Sequence, residues 1–382
     1  MRENEIELAR ALRKTVATKK RTPSNRKAVV GLDGFIDEIV HVVALRKNHE
    51  EYERLVSMSE YADRIKSFAG MSGNIEYVTQ RIKIGGNGPI MANAIASLDV
   101  PTTYIGNIGW PDVNPVFKPM EERADLITLA EACHTDAIEF HDGKIMIGKM
   151  TPVKDVNWDR LMQVVGLEKL TYLMETADLL ALVNWSMLPH MADIWDNMIE
   201  KVCPRLDPGR ERFIFFDLAD PQKRPVEDMK RMLALVQRFS EFYRVIFGLN
   251  ERESYQIAQA LGIDTAEGAP DRVEQVCAAI SDKLGIYCMV VHPVEFAVTT
   301  INGKTYRQDG PHTTRPVITT GAGDHFNAAF CLGNMLGMDP QTCLLMGVCC
   351  SGYYVMTGKT PGLSDLMGFM ENWRDDPFGL LG

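Results

Sequence analysis

Ile318-Thr319-Thr320-Gly321-Ala322-Gly323-Asp324-His325-Phe326-Asn327-Ala328-Ala329-Phe330 is the stretch on which the reading of this chain turns. Its glycines punctuate a turn. After them Phe326, Ala329, Phe330, Gly333 and Leu336 recur at helical spacing, so the loop opens a helix with a buried face. A Gly-Ala-Gly run lets successive backbone N–H groups turn towards one point with little side chain in the way. The helix behind it adds unpaired donors and the positive end of its dipole. Together these make an anion site, most often one for phosphate. Asp324 is the odd component, because a carboxylate repels bound phosphate and is better placed to take a proton. The competing reading is a plain helix cap, a common use of Asp.

The 382 residues are 46% hydrophobic and 24% charged, as in an ordinary globular protein. That length allows one large α/β domain with an appendage, or two domains. A formal net charge of −10 argues against a nucleic-acid partner. Eight cysteines show no Cys-x-x-Cys spacing, so reduced thiols in a reducing compartment are expected. No apolar stretch is long enough to span a membrane, and Glu3, Glu5 and Glu7 interrupt any signal-peptide core. A cytoplasmic protein without a membrane partner is the expectation.

Along the chain, Ile6, Ala9, Leu12 and Val16 predict a short amphipathic helix, and Lys19-Lys20-Arg21 reads as a solvated linker. Ala28–Leu32 is an apolar strand that runs into Asp33-Gly34-Phe35-Ile36-Asp37. A carboxylate just past a buried strand suits acceptance of hydrogen bonds from hydroxyls, although either Asp could cap a turn. Residues 41–80 are polar and show no core period. Gly85-Gly86-Asn87-Gly88-Pro89 does not fit Gly-x-Gly-x-x-Gly, which discounts a dinucleotide site, and a closely packed helix is expected after Pro89. Ala137–Ile147 reads as a hairpin around Asp142-Gly143.

From about residue 160, helical stretches alternate with apolar runs at 179–183, 213–216, 245–247 and 288–291, the pattern of a parallel sheet buried on both faces. Asn250-x-x-Glu253 past one of these runs has the spacing of a capping box. Gly358-Lys359-Thr360 fails as a P-loop, because Gly352 is one residue too far and Pro361 stops any following helix.

Thr319-Thr320-Gly321-Ala322-Gly323-Asp324, followed by Phe326-Asn327, resembles the C-terminal signature of the ribokinase-like (PfkB) sugar and nucleoside kinases. Asn250-x-x-Glu253 resembles that family's Asn-x-x-Glu motif. Looser matches are the loop around Gly86 and Asn87, the turn Asp217-Leu218-Ala219-Asp220-Pro221, and the strands around 296–317. The resemblance covers residues 28–370. It implies an α/β fold, ribokinase-like, with a mostly parallel central sheet flanked by helices and a small β lid. Residues 1–27 would be an N-terminal extension and 28–382 the kinase domain, with lid segments near 38–80 and 133–152.

The same resemblance implies the chemistry. Asp324 would be the base, and the amides of Gly321, Ala322 and Gly323 the anion hole. Asp37, with Asp33, Gly86 and Asn87, would hold the acceptor. Asn250, Thr320, Asn327 and Gly358 would lie at the nucleotide, and Glu253 with Asn250 would organise Mg²⁺ through water. The implied reaction moves a phosphoryl group from ATP to a hydroxyl of a sugar-like acceptor. A nucleoside kinase, an ADP-dependent sugar kinase and a non-catalytic sugar- or nucleotide-binding protein are the alternatives, and a homodimer through the lid is left open.

Three departures stand out. Trp110-Pro111-Asp112 follows a strand where members often carry Asp sooner, which unsettles local substrate contacts. Ile318 replaces an Asp that helps hold a monovalent cation, so the loop is expected to be fixed by packing against the preceding strand rather than by potassium. His325 replaces the usual Thr or Ser after the base.

Overall fold

The apolar runs of the sequence become the strands of one large sheet, in a computed structural model that describes residues 2–18, 22–264 and 271–381. The strands in chain order are β1 (Ala28–Leu32), β2 (Phe35–Arg46), β3 (Tyr52–Arg54), β4 (Tyr77–Gly85), β5 (Thr102–Gly106), β6 (Ala124–Thr128) and β7 (Cys133–Phe140). They continue as β8 (Gly143–Lys149), β9 (Leu179–Leu182), β10 (Phe213–Asp217), β11 (Arg244–Leu249), β12 (Cys288–Val291), β13 (Phe296–Ile301) and β14 (Lys304–Asp309). The helices begin with α1 (Arg2–Val16), α2 (Met58–Ser67), α3 (Asn87–Ser97), α4 (Trp158–Val164), α5 (Leu167–Thr176) and α6 (Met191–Asn197). They end with α7 (Val226–Phe239), α8 (Glu251–Ala260), α9 (Arg272–Leu284), α10 (Ala322–Met335), α11 (Pro340–Thr357) and α12 (Leu363–Asn372).

The large sheet runs β14-β13-β12-β11-β10-β9-β1-β5-β6, parallel from β12 through β6 with β13 and β14 antiparallel. Every residue of β1, β9, β10 and β12 is buried, because helices cover both faces. Alternate side chains feed two cores. Val29, Leu182 and Phe216 pack under α4 to α9, while Val30, Ala181 and Phe215 pack against α3, α10 and α11. Helix α1 closes the second core, burying Ala9 and Leu12. Its Glu5, 3% exposed, is held by Arg374 Nε at 2.6 Å and by Gln308 Nε2 at 2.9 Å.

The second sheet is the lid, ordered β3-β2-β7-β8 with β4 also paired to β2. The expected hairpin is β7–β8, and it finds its partner in this chain, because β7 runs parallel to β2 from Phe35↔Cys133 onward. Residues 41–80 gave no core period because much of the stretch is solvent-exposed, including the consecutive Thr79 and Gln80 of β4. Helix α3 begins at Asn87, two residues before the expected start, because an anchored carboxylate caps it ahead of Pro89. The strands expected within 296–317 are β13 and β14, joined by the turn at Asn302-Gly303, and β14 ends at Asp309. Ile318 accordingly has no strand to pack on. It is half-buried, and its N–H donates to the Val355 carbonyl of α11 at 3.3 Å. The basic run Lys19-Lys20-Arg21 lies outside the described residues.

Candidate active site

In a parallel sheet the C-terminal strand ends gather on one edge, and ligands bind there. Asp33 follows β1, Asn184 follows β9, Asp217 ends β10 and Asn250 follows β11. The N-terminus of α10 arrives over this edge. Gly321 precedes it with φ 95°, a left-handed conformation that favours glycine. A Cβ on Gly323 would stand 3.1 Å from the His292 ring, so that glycine keeps the approach to the helix end open. Gly323 is second in the helix, where a backbone N–H has no intrahelical acceptor. Ala322 N–H, in contrast, donates to Thr319 O at 3.2 Å, so one of the three expected anion-hole amides is engaged in this conformation.

Asp324 sits one residue further on, 6% exposed, and accepts Asn87 Nδ2 at 3.0 Å. Burial pushes its carboxyl well above the usual aspartate range, and the nearby charge of Asp217 pushes it the same way. The Asn87 bond opposes both. A helix-capping carboxylate would accept backbone N–H groups; the recorded partner of Asp324 is a side chain from another helix.

The two candidate acceptor carboxylates separate cleanly. Asp33 accepts the N–H of Asn87 at 3.0 Å and of Gly88 at 2.8 Å, and Asn184 Nδ2 at 2.7 Å. It therefore anchors the N-terminus of α3, and its pKa is raised to about 6 by burial against those bonds. Gly86 must be small there, because a Cβ would come within 2.8 Å of Asp33 Oδ2. Asp37 lies in β2 opposite Lys83 of β4, with Nζ 3.7 Å away, and burial raises its pKa against that cation. It faces an open cavity of about 520 Å³, together with Asn87, Asn184 and Thr320 and the lid side chains Met146 and Met150.

A second cavity of about 330 Å³ lies across the α10 turn, lined by Thr319, Ala322, Gly323, His292, Gly352 and Val355. Thr320, expected at the nucleotide, faces the first cavity, while its neighbour Thr319 faces the second. Next to it Asn250 and Arg252 line a hollow of about 400 Å³ that shares His292. Gly358 is the left-handed C-cap of α11, φ 69°, with its N–H on Tyr354 O at 2.8 Å.

Asn250 and Glu253 form a true capping box. Asn250 Oδ1 accepts the Glu253 N–H at 2.9 Å, and Glu253 Oε2 accepts the Asn250 N–H at 3.0 Å. The other oxygen, Oε1, accepts the N–H of Asp220 at 2.7 Å, which ties the turn after β10 to α8. Asp217 accepts Asn327 Nδ2 at 3.0 Å, so Asn327 faces the carboxylates rather than a cavity wall. The carboxyls of Asp217 and Glu253 are both raised, first by burial. Asn184, Lys83 and the central place of Asp217 escaped the sequence reading. Asn184 and Asp217 carried a weak signal, a polar residue ending a fully apolar run; Lys83 carried none.

Comparisons with known proteins agree over most of the chain. A profile described as prokaryotic ketohexokinase matches residues 6–373. A ketohexokinase of Haloferax volcanii is 27% identical over 354 residues, covering 91% of this chain and 92% of that one. Ribokinase of Arabidopsis thaliana, solved with ribose and ATP, superposes with a TM-score of 0.63 at 18% identity, covering 90% of this chain and 98% of its own. Phosphofructokinase-2 of Escherichia coli gives 0.61 at 13% identity, over 90% and 98%. At those identities the two structures share the fold.

Proposed function

The chain belongs to the prokaryotic ketohexokinase family, and we propose from that premise that its acceptor is a ketohexose held in the cavity under the lid. The enzyme is a carbohydrate kinase that transfers a phosphoryl group from ATP to a sugar hydroxyl. One observation carries the residue assignments. The Gly321–Asp324 turn stands between two cavities, with Thr320 in one wall and Thr319 and Gly323 in the other, and Asp324 reaches the first through Asn87.

On this reading the sugar binds against Asp37, Asn87 and Asn184, and the nucleotide lies along His292, Gly323 and Gly352. A hydroxyl oxygen attacks the terminal phosphorus of ATP, the bond to the bridging oxygen breaks, and ADP leaves. Asp324 accepts the hydroxyl proton as the new O–P bond forms, a role suited by a carboxyl that burial makes more basic. The free donors at the start of α10 stabilise charge on the phosphoryl oxygens. The Met146 and Met150 side chains of the lid help to exclude water from the acceptor.

Mg²⁺ fits the carboxylate cluster on chemical grounds. Asp217 and Glu253 are oxygen donors raised by burial, and Asn327 Oδ1 is buried without a partner among the described residues. Among the described residues no group of three His, Cys, Asp or Glu could cage a metal. That suits an ion that keeps several waters, held by Asp217, Glu253 and Asn250 through them. When bound it neutralises phosphate charge.

Among the described residues no helix is long and apolar enough to cross a membrane. All eight cysteines are buried and free, which suits a reducing cytoplasm. The outer lid exposes Leu45, Ile82 and Ile147 at 58%, 53% and 41%, which favours a homodimer through the lid, and light scattering reads its mass. The acceptor is tested by incubating the purified chain and Mg²⁺ with ATP or ADP and with a ketohexose, an aldohexose or a nucleoside. Transfer from ATP fastest to the ketohexose is expected. Preference for a nucleoside, or for ADP as donor, would overturn the assignment.

A further inference from the structure

His325 is 1% exposed and joins three separate segments. Its Nδ1 lies 2.7 Å from the Gly321 carbonyl, which can only accept, so Nδ1 carries the proton. Its Nε2 lies 3.0 Å from Thr360 Oγ1 and, in that tautomer, must accept the hydroxyl proton. Asn93 Nδ2 stands 3.4 Å from the same hydroxyl oxygen and donates to it. The chain of bonds therefore runs one way, from Asn93 of α3 through Thr360 and His325 to Gly321. The imidazole also stacks on the Tyr354 ring, with centroids 3.7 Å apart and planes 15° from parallel. Tyr354 Oη donates to the Thr320 carbonyl at 3.1 Å.

Two stacked rings thus hold two consecutive carbonyls, those of Thr320 and Gly321. A peptide unit is planar, so fixing a carbonyl fixes the N–H that follows it. The N–H groups in these two planes belong to Gly321, assigned to the anion hole, and to Ala322, which is held on the Thr319 carbonyl at 3.2 Å and so keeps the turn closed. We propose that His325 is a positioning residue for phosphoryl transfer, which with Thr360 and Tyr354 clamps the two peptide planes of the turn from which the free amides of Gly321 and Gly323 project. The clamp also joins the turn to Thr360, just past the C-cap of α11 that borders the nucleotide cavity. Burial lowers the imidazole pKa to about 4, so the neutral ring and its one-way bonding persist at neutral pH. The proposal rests on the kinase reading above, in which these amides meet phosphoryl oxygens.

A double-mutant cycle tests it. Thr360→Val removes the hydroxyl and keeps the shape, Thr360→Ser restores the hydroxyl, and His325→Phe keeps the stack while losing both bonds. Expected are a kcat lower by about tenfold for Thr360→Val with the sugar KM within about twofold, and recovery in Thr360→Ser, as for an interaction made in the transition state. The double variant is expected to lose no more than His325→Phe alone, because Thr360 acts through the ring. Unchanged kcat in a folded Thr360→Val protein, or additive losses, would overturn the clamp. Should His325→Phe fail to fold, the Thr360 pair still decides, by kcat at matched thermal stability. An unmodified protein without transferase activity would instead sink the kinase reading.

Discussion

Asn87 Nδ2 donates to Asp324 Oδ1 across 3.0 Å, joining two residues 237 positions apart at the N-termini of α3 and α10. This bond places the carboxylate beside Asn87, which lines the cavity proposed for the acceptor, and it opposes the rise in pKa that burial imposes on Asp324. Asp324→Asn is expected to keep nucleotide binding and to lower kcat by about two to four orders of magnitude, the scale of a general base. Asn87→Ala should lower kcat less. Steady-state kinetics beside nucleotide titration checks both, and near-normal turnover in Asp324→Asn would remove it from the mechanism.

Asp217 gives a pH-dependent prediction. Its folded pKa lies above the unfolded value of about 4, chiefly through burial and then the charge of Glu253. Stability from a raised carboxyl is fully present below the unfolded pKa and is lost as pH rises through the folded one. The ligand-free enzyme should therefore lose Tm between about pH 4 and the raised value. Asp217→Asn should flatten that fall and stabilise the apo protein at pH 8, while raising the Mg²⁺ needed for turnover. A fall of equal steepness in the variant would show that the charge is not the cause.

Glu253 is tied to the backbone at both oxygens, so its removal should cost stability as well as metal affinity. Glu253→Gln puts an amide nitrogen against one of two N–H donors, those of Asn250 or Asp220. A loss of about 1–3 kcal/mol is expected, the cost of a buried donor left unpaired. Chemical denaturation reads that loss. A higher half-saturating Mg²⁺ concentration should accompany it; wild-type metal dependence with lowered stability would leave Glu253 as a cap and nothing more.

Ile318 predicts indifference to potassium. Its side chain offers no oxygen, and the N–H groups of Val317 and Ile318 are both held by the Val355 carbonyl, at 2.9 and 3.3 Å. The turn is fixed by backbone bonds to α11 rather than by packing on a strand. Rates in potassium, sodium and tetramethylammonium salts at equal ionic strength should agree within about twofold, since screening depends on ionic strength. A large potassium-specific rise would contradict this.

Local signals were legible in the chain itself. The Gly-Ala-Gly turn, the four apolar runs of the sheet, the capping box at Asn250 and the hairpin near Asp142 each depend on residues a few positions apart, so short-range sterics and bonding write them into sequence. Length and composition allowed one large α/β domain, and the cysteine spacing gave the expectation of reduced thiols. What only tertiary structure decided was which polar groups meet. Asp33 and Asp37 stand four residues apart and look alike in sequence. The chain passes from the large sheet at β1 to the lid sheet at β2, and Asp33 meets the backbone of α3 while Asp37 lines the cavity proposed for the acceptor, beside Lys83. Glu253 and Asn250 have the spacing of a cap and of a metal motif alike, and only the arrival of Asp220 shows how both carboxylate oxygens are used. His325 reads as an anomaly until α11 brings Tyr354 and Thr360 to its ring. In each case the deciding contact spans tens of residues, and its geometry is set by packing of whole elements rather than by any neighbour in the chain.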